Sequence, residues 1–223
     1  MKQFVGYGLL VALLAITACN STRVVKPLQP KEIMVSLDAG GPFFEFSGAS
    51  IPAPFSSLSV AYGLDSTFTL FGGVNITTAI YGSVQIDIGA VASLYRSKHP
   101  AIPNISAGLS AQTITNVFDG SFRLLPVADV NLYWHYWKDK QHYIYLNWGS
   151  WFNLWNRAYN QAPAEVYFPK IGLGHTFENA KMRYTVEASY SAWGIGNRGV
   201  PVLFCGVNGY GVWGAHIGIA RKF

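Results

Sequence analysis

Five histidines, at positions 99, 135, 142, 175 and 216, are the residues best suited to metal binding or proton transfer. No pair of them has a metal-ligand spacing. Nucleophilic catalysis needs a nucleophile, a base and an orienting group within mutual reach, and no such set can be drafted here. Asp119 and Glu45 fall where one rim of the fold is expected, but no histidine is placed to meet them. No glycine run has the form of a phosphate-binding loop; the glycines sit at strand and turn positions. What remains is a polar set that recurs among apolar neighbours: Gln85, Asp87, Gln112, Asp129, Asn131, His135, Arg183, Glu187 and His216. Its chemistry is electrostatic. Buried charges persist when paired and hydrogen-bonded, so the set forms either a satisfied polar plug or a polar relay for a small solute.

The elements that carry these residues alternate with period two, the signature of strands whose successive side chains face opposite ways. Val84, Ile86 and Ile88 oppose Gln85 and Asp87. Val130, Leu132 and Trp134 oppose Asp129, Asn131, Tyr133 and His135. Met182, Tyr184, Val186 and Tyr190 oppose Arg183, Thr185, Glu187 and Ser189. About ten such strands are expected, an even number as in single-chain bacterial barrels. They run over roughly 32–38, 56–64, 67–80, 84–95, 104–117, 122–136, 142–152, 170–177, 181–192 and 209–223. Pro126 is expected to mark a bulge, because proline cannot donate to a ladder. Residues 39–55, 153–169 and 193–208 are expected as long connections. Trp134, Trp137, Tyr143, Trp148, Trp151, Trp155, Tyr184, Tyr190 and Trp193 fall near strand ends, where interfacial girdles lie.

Composition points the same way. Of 223 residues, 50% are hydrophobic and only 12% charged, against about 25% charged in ordinary soluble domains. After residue 18 no run of about 18 apolar residues occurs, so a transmembrane helix is not available. Hydrophobicity spread over alternate positions fits membrane-spanning strands; a soluble β-sandwich is the alternative. The sequence pI of 9.2 invites a nucleic-acid reading, but the charges are not clustered. Arg96, Lys98, Lys138, Lys140, Lys181, Arg221 and Lys222 fall mainly at one rim, where they could meet lipid phosphate or an acidic protein.

The two ends of the chain add a resemblance. Met1-Lys2 followed by the apolar run Leu9–Ile16 is a secretory signal in form, and Ile16-Thr17-Ala18-Cys19 resembles the bacterial lipobox. The last stretch, Gly209–Phe223, alternates large and small residues and closes on an aromatic, so it resembles the final strand of Gram-negative outer-membrane β-barrels. The resemblance implies a signal peptide at 1–18, acylation of Cys19, a polar tether at 19–31 and an outer-membrane barrel at 32–223. With Cys19 acylated, Cys205 is left without an intramolecular partner. Integral outer-membrane enzymes exist, but His175-Thr176-Phe177 lacks the serine of a deacylase-like pair.

The expected protein is thus an all-β, antiparallel, up-and-down transmembrane barrel. It is non-enzymatic and anchored twice in the bacterial outer membrane, with its lipid in the periplasmic leaflet. Cys19 carries a covalent lipid, and no other cofactor or metal is expected. The barrel serves as a structural or accessory subunit of an envelope assembly; a narrow channel or binding barrel is the alternative, and an enzyme the second. Outer-membrane lipids and a protein met at the basic rim are the expected partners, and nucleic acid is not. Six side chains are the lumenal candidates: Asp87, Asp129, His135, Arg183, Glu187 and His216.

Overall fold

The computed structural model describes residues 24–136, 141–154, 165–197 and 203–223. The expected signal peptide, Cys19, Trp137, Lys138, Lys140 and Trp155 lie outside the described residues. The strands are β1 (Ile33–Phe46), β2 (Ala49–Pro52), β3 (Phe55–Gly63), β4 (Phe68–Asn75), β5 (Ser83–Tyr95), β6 (Asn104–Asn116), β7 (Phe122–His135), β8 (Tyr143–Phe152), β9 (Tyr167–Glu178), β10 (Met182–Gly196) and β11 (Tyr210–Lys222). Each pairs antiparallel with its neighbours, and β1 pairs with β11 from Met34↔Lys222 to Pro42↔Gly214. The sheet therefore closes on itself. Among the described residues only β2 stands outside the closed ring, because it pairs with β1 alone. The ring itself is a ten-stranded up-and-down barrel without an open edge.

The barrel is inverted relative to a soluble fold. Ile88, Leu109, Leu173 and Ile217 are each at least 60% exposed on the outside, whereas Gln112, Asn131, Glu187 and His216 are at most 4% exposed on the inside. Water would penalise that exterior, and a soluble sandwich would bury it. Hydrocarbon is the solvent in which it is stable, since closure satisfies the strand ladders internally. The fold is a transmembrane β-barrel.

Several local expectations are corrected. The strand expected over 67–80 stops at Asn75, and one helical turn follows at Ile76–Ile80. Asn75 caps that turn: its side-chain oxygen accepts from the Thr78 N–H at 3.0 Å, the role for which asparagine is favoured. The connection expected over 39–55 is largely a hairpin, with β1 running on to Phe46 and β2 returning along it. Ser47 and Gly48 both have positive φ, 51° and 82°, as a tight two-residue hairpin turn requires. Pro126 makes no bulge. It pairs with Ala111 without a register shift, and the β7–β8 ladder begins only at Val127, so Pro126 sits at a ladder edge where a missing donor is tolerated. Strand β9 starts three residues earlier than expected, at Tyr167.

Two of the expected girdle aromatics are lumenal. Tyr143 and Trp151 are buried because they share parity with Tyr145 and Asn147 on β8. Both faces of β8 carry aromatics, so position near a strand end did not fix the face.

The segment before β1 is not an exposed tether over its described part. Val24 and Leu28 pack with the inward-facing Met34, Ala61, Val91 and Ala220. Val25 packs with Tyr133, Tyr143 and Tyr145 from the other wall. The Leu28 N–H donates to Thr69 Oγ1 at 2.8 Å, and Ser106 Oγ donates to the Val25 carbonyl at 2.5 Å. The chain thus crosses the inside of the barrel at the end where β1 begins and β11 finishes. Gly63 makes that crossing possible, because a Cβ there would collide with the Gln29 carbonyl oxygen.

Candidate functional site: the barrel interior

Two glutamates on adjacent strands organise much of the interior. Glu187 projects inward from β10 and is buried. Lys170 Nζ lies 2.6 Å from its Oε1, and the Tyr145 hydroxyl donates to its Oε2 at 2.8 Å. Room for this cluster comes from β9. A Cβ on Gly172 would stand 3.2 Å from Glu187 Oε1, and one on Gly174 would collide with the Tyr145 ring. His216, the cross-strand partner of Glu187, is also buried. Breaking such a pair from one side leaves an uncompensated buried charge, at a cost of about 3–5 kcal/mol.

Glu178, the last residue of β9, accepts from three cations at the terminal mouth. Lys222 Nζ lies at 2.7 Å, Lys26 Nζ at 3.3 Å and Arg183 Nη2 at 3.4 Å. Lys222 also faces Glu32 at 3.6 Å. Burial pushes the Lys26 ammonium below its ordinary value, and Glu178 opposes that shift. Arg183 is buried and its Nε has no hydrogen-bond partner among the described residues; an unpaired buried donor costs about 1–3 kcal/mol.

A third group spans β6 to β8. Asn131 Nδ2 donates to Asp129 Oδ1 at 2.9 Å, and Asn147 Nδ2 donates to Asn131 Oδ1 at 2.8 Å. Asp129 lies over Gly108. On β5 and β6, Gln85 and Gln112 are buried, and their amide atoms have no hydrogen-bond partner among the described residues.

The six lumenal candidates are therefore dispersed. Asp87, Asp129, Arg183, Glu187 and His216 are buried on inward parity. His135 is half-buried at the mouth, edge-on to Tyr133 and Tyr143. The structure brings Glu187 and His216 together but separates Arg183 from Glu187, giving Arg183 to Glu178 instead. Sequence reasoning missed Lys170, Glu178, Tyr145 and Lys26 as interior partners; Lys222 does lie at a rim, where it meets Glu178 and Glu32. Parity held the signal: 170, 172, 174, 176 and 178 run down one face of β9, and 216 to 222 in even steps down one face of β11. Cys205 is a free thiol in the loop before β11, 3.2 Å from Ser50 Oγ. Among the described residues no group of three or more His, Cys, Asp or Glu could hold a metal ion.

Two voids lie beside the Arg183 side chain. One of about 20 Å³ lies between Ser36, Asp38, Arg183 and Gly218. A larger one, about 360 Å³, opens at the terminal mouth between Lys26, Glu32, His135, Glu178, Arg183 and Lys222.

No protein-family model matches the chain, and no curated protein matches it in sequence. Solved outer-membrane barrels are similar in fold. The translocator domain of the autotransporter NalP from Neisseria meningitidis is 12% identical with a TM-score of 0.46, over 100% of this chain and 96% of that one. An outer membrane channel from Pseudomonas putida F1 is 9% identical with a TM-score of 0.49, over 92% and 100%. The NanC porin is 10% identical with a TM-score of 0.46, over 86% and 100%.

Proposed function

We propose that this protein is a closed outer-membrane β-barrel lipoprotein, non-enzymatic, acting as a structural or accessory subunit of an envelope assembly. The observation that carries the reading is how much of the interior the chain's own residues occupy. Residues 24–28 cross the lumen and bury Val24, Val25 and Leu28 against opposite walls, while buried ion pairs occupy the rest of the β9–β11 side. Barrels of this size have interiors that side chains can fill, and open aqueous channels need about sixteen strands. Acylation of Cys19 would place a lipid only a few residues before the segment that enters the barrel. That double attachment favours anchoring over transport. Short turns at the terminal end and longer connections opposite support a periplasmic terminal mouth, with the rim lysines and arginines facing a periplasmic partner or lipid phosphate.

A second reading, a narrow conduit or binding barrel for a small solute, is supported by the mouth cavity and by the unpaired amides of Gln85 and Gln112. The test is a mild-detergent affinity purification from native outer membranes, with co-purifying proteins identified by mass spectrometry. A stoichiometric partner set is expected. Recovery as a bare monomer would overturn the subunit role and move the weight to the second reading.

A further inference from the structure

The mouth cavity has more cationic donor capacity than its own carboxylates use. Three cations line it, Lys26, Arg183 and Lys222, against two carboxylates, Glu32 and Glu178. One positive charge is left over, the complement of a single carboxylate. The cation contacts are also incomplete. Arg183 reaches Glu178 through one nitrogen at 3.4 Å rather than through a two-pronged pair, although its planar fork suits bidentate carboxylate binding. Its Nε, buried in the cavity wall, has no partner among the described residues. Lys26 and the second contact of Lys222 sit at 3.3 and 3.6 Å, long for charge-assisted bonds. This contrasts with the 2.6 Å Lys170–Glu187 pair deeper inside. The cavity, about 360 Å³, falls in the range of small-molecule sites. Exposed Gln29, Asn179 and Ala180 at its edge open it to solvent.

We propose that the terminal mouth binds a small polyhydroxylated or otherwise polar carboxylate, with Arg183 and Lys222 receiving the carboxylate and Lys26 flanking it. The exposed side chain of Gln29 and the Asn179 Nδ2 supply hydrogen-bonding groups for the ligand's polar body, the Asn179 Oδ1 being held by the Lys181 and Met182 N–H groups. Binding needs no opening of the lumen and no protein partner, so it stands or falls apart from the subunit role.

The experiment is titration calorimetry on the full detergent-solubilised chain at low ionic strength, with gluconate as the probe and sorbitol as its uncharged counterpart. Gluconate is expected to bind at one per barrel and sorbitol not to bind. Lys222→Gln and Lys26→Gln should each weaken gluconate about tenfold, the loss of one charge-assisted contact. Lys181→Gln, on the exposed turn outside the cavity, should leave it unchanged. The gluconate–sorbitol contrast in the unaltered protein needs no variant to fold. No gluconate binding, equal binding of sorbitol, or an equal loss in Lys181→Gln would overturn the proposal.

Discussion

Glu178 and Glu187 stand nine positions apart on antiparallel neighbouring strands, both inward and both buried, yet they are built differently. Glu187 has a lysine at 2.6 Å and a tyrosine at 2.8 Å, set in a pocket that two glycines on β9 hollow out. Glu178 is shared by three cations, two of them beyond 3.2 Å, beside a cavity that reaches solvent. Deep in the barrel a carboxylate persists only if its charge is neutralised at short range, so Glu187 acts as a structural pin. At the mouth water can complete the shell, and Glu178 can tolerate loose partners with donors to spare. Depth decides whether an ion pair is structure or a site.

The largest expected effect comes from breaking the pin. Glu187→Ala should destabilise the barrel by about 3–5 kcal/mol, because Lys170 is left as a buried charge. Urea unfolding in lipid vesicles measures it. Ile217→Arg probes the wall just outside: Ile217 neighbours His216 in sequence but faces outward, and arginine there should cost about 2–4 kcal/mol if it lies at mid-depth. A cost near zero would mean that this face does not meet lipid. Glu178→Gln should cost less, about 1–3 kcal/mol, since the amide still accepts from its cations and Lys26 and Lys222 are partly exposed beside the cavity. A loss equal to that of Glu187→Ala would erase the distinction between the two carboxylates.

The smallest effect lies in a turn beside the mouth. The backbone N–H groups of Phe68 and Thr67 donate to Asp65 Oδ1 and hold its carboxyl below the ordinary value. A depressed carboxylate stabilises above its unfolded value, and that contribution fades as pH falls through the folded one. Amide exchange at Thr67 and Phe68 should therefore quicken only below the ordinary carboxylate range, and Asp65→Asn should remove the dependence.

The faces of the barrel were legible because a period of two allows only two assignments per strand. One exposed apolar residue such as Ile217 fixes the facing of His216, Gly218 and the rest of β11. Lys222 was legible as a rim residue, but not its partner Glu178, which the sequence places in a turn. The one-turn helix and the outer hairpin were harder. Asn75 and Ser47-Gly48 are short local signals inside stretches that otherwise pass for strand and loop. The interior crossing of residues 24–28 was not legible at all. Val24, Val25 and Leu28 are interrupted by Lys26 and Pro27, a pattern that suits a linker. Their partners, Met34, Ala61, Val91 and Ala220, are apolar residues on the face expected to be polar, and only the closed barrel brings them to one end. The Glu178 cluster was hidden for the same reason, since Lys26, Glu178, Arg183 and Lys222 meet only once β9, β10, β11 and the N-terminal segment converge.

The central claim is that the interior is closed. Its most direct test is conductance of the full chain in planar lipid bilayers, recorded over a range of voltages and salt concentrations. If residues 24–28 and the interior ion pairs block the lumen, as proposed, the barrel inserts without stable unitary current steps. Reproducible ohmic steps that scale with salt would contradict it.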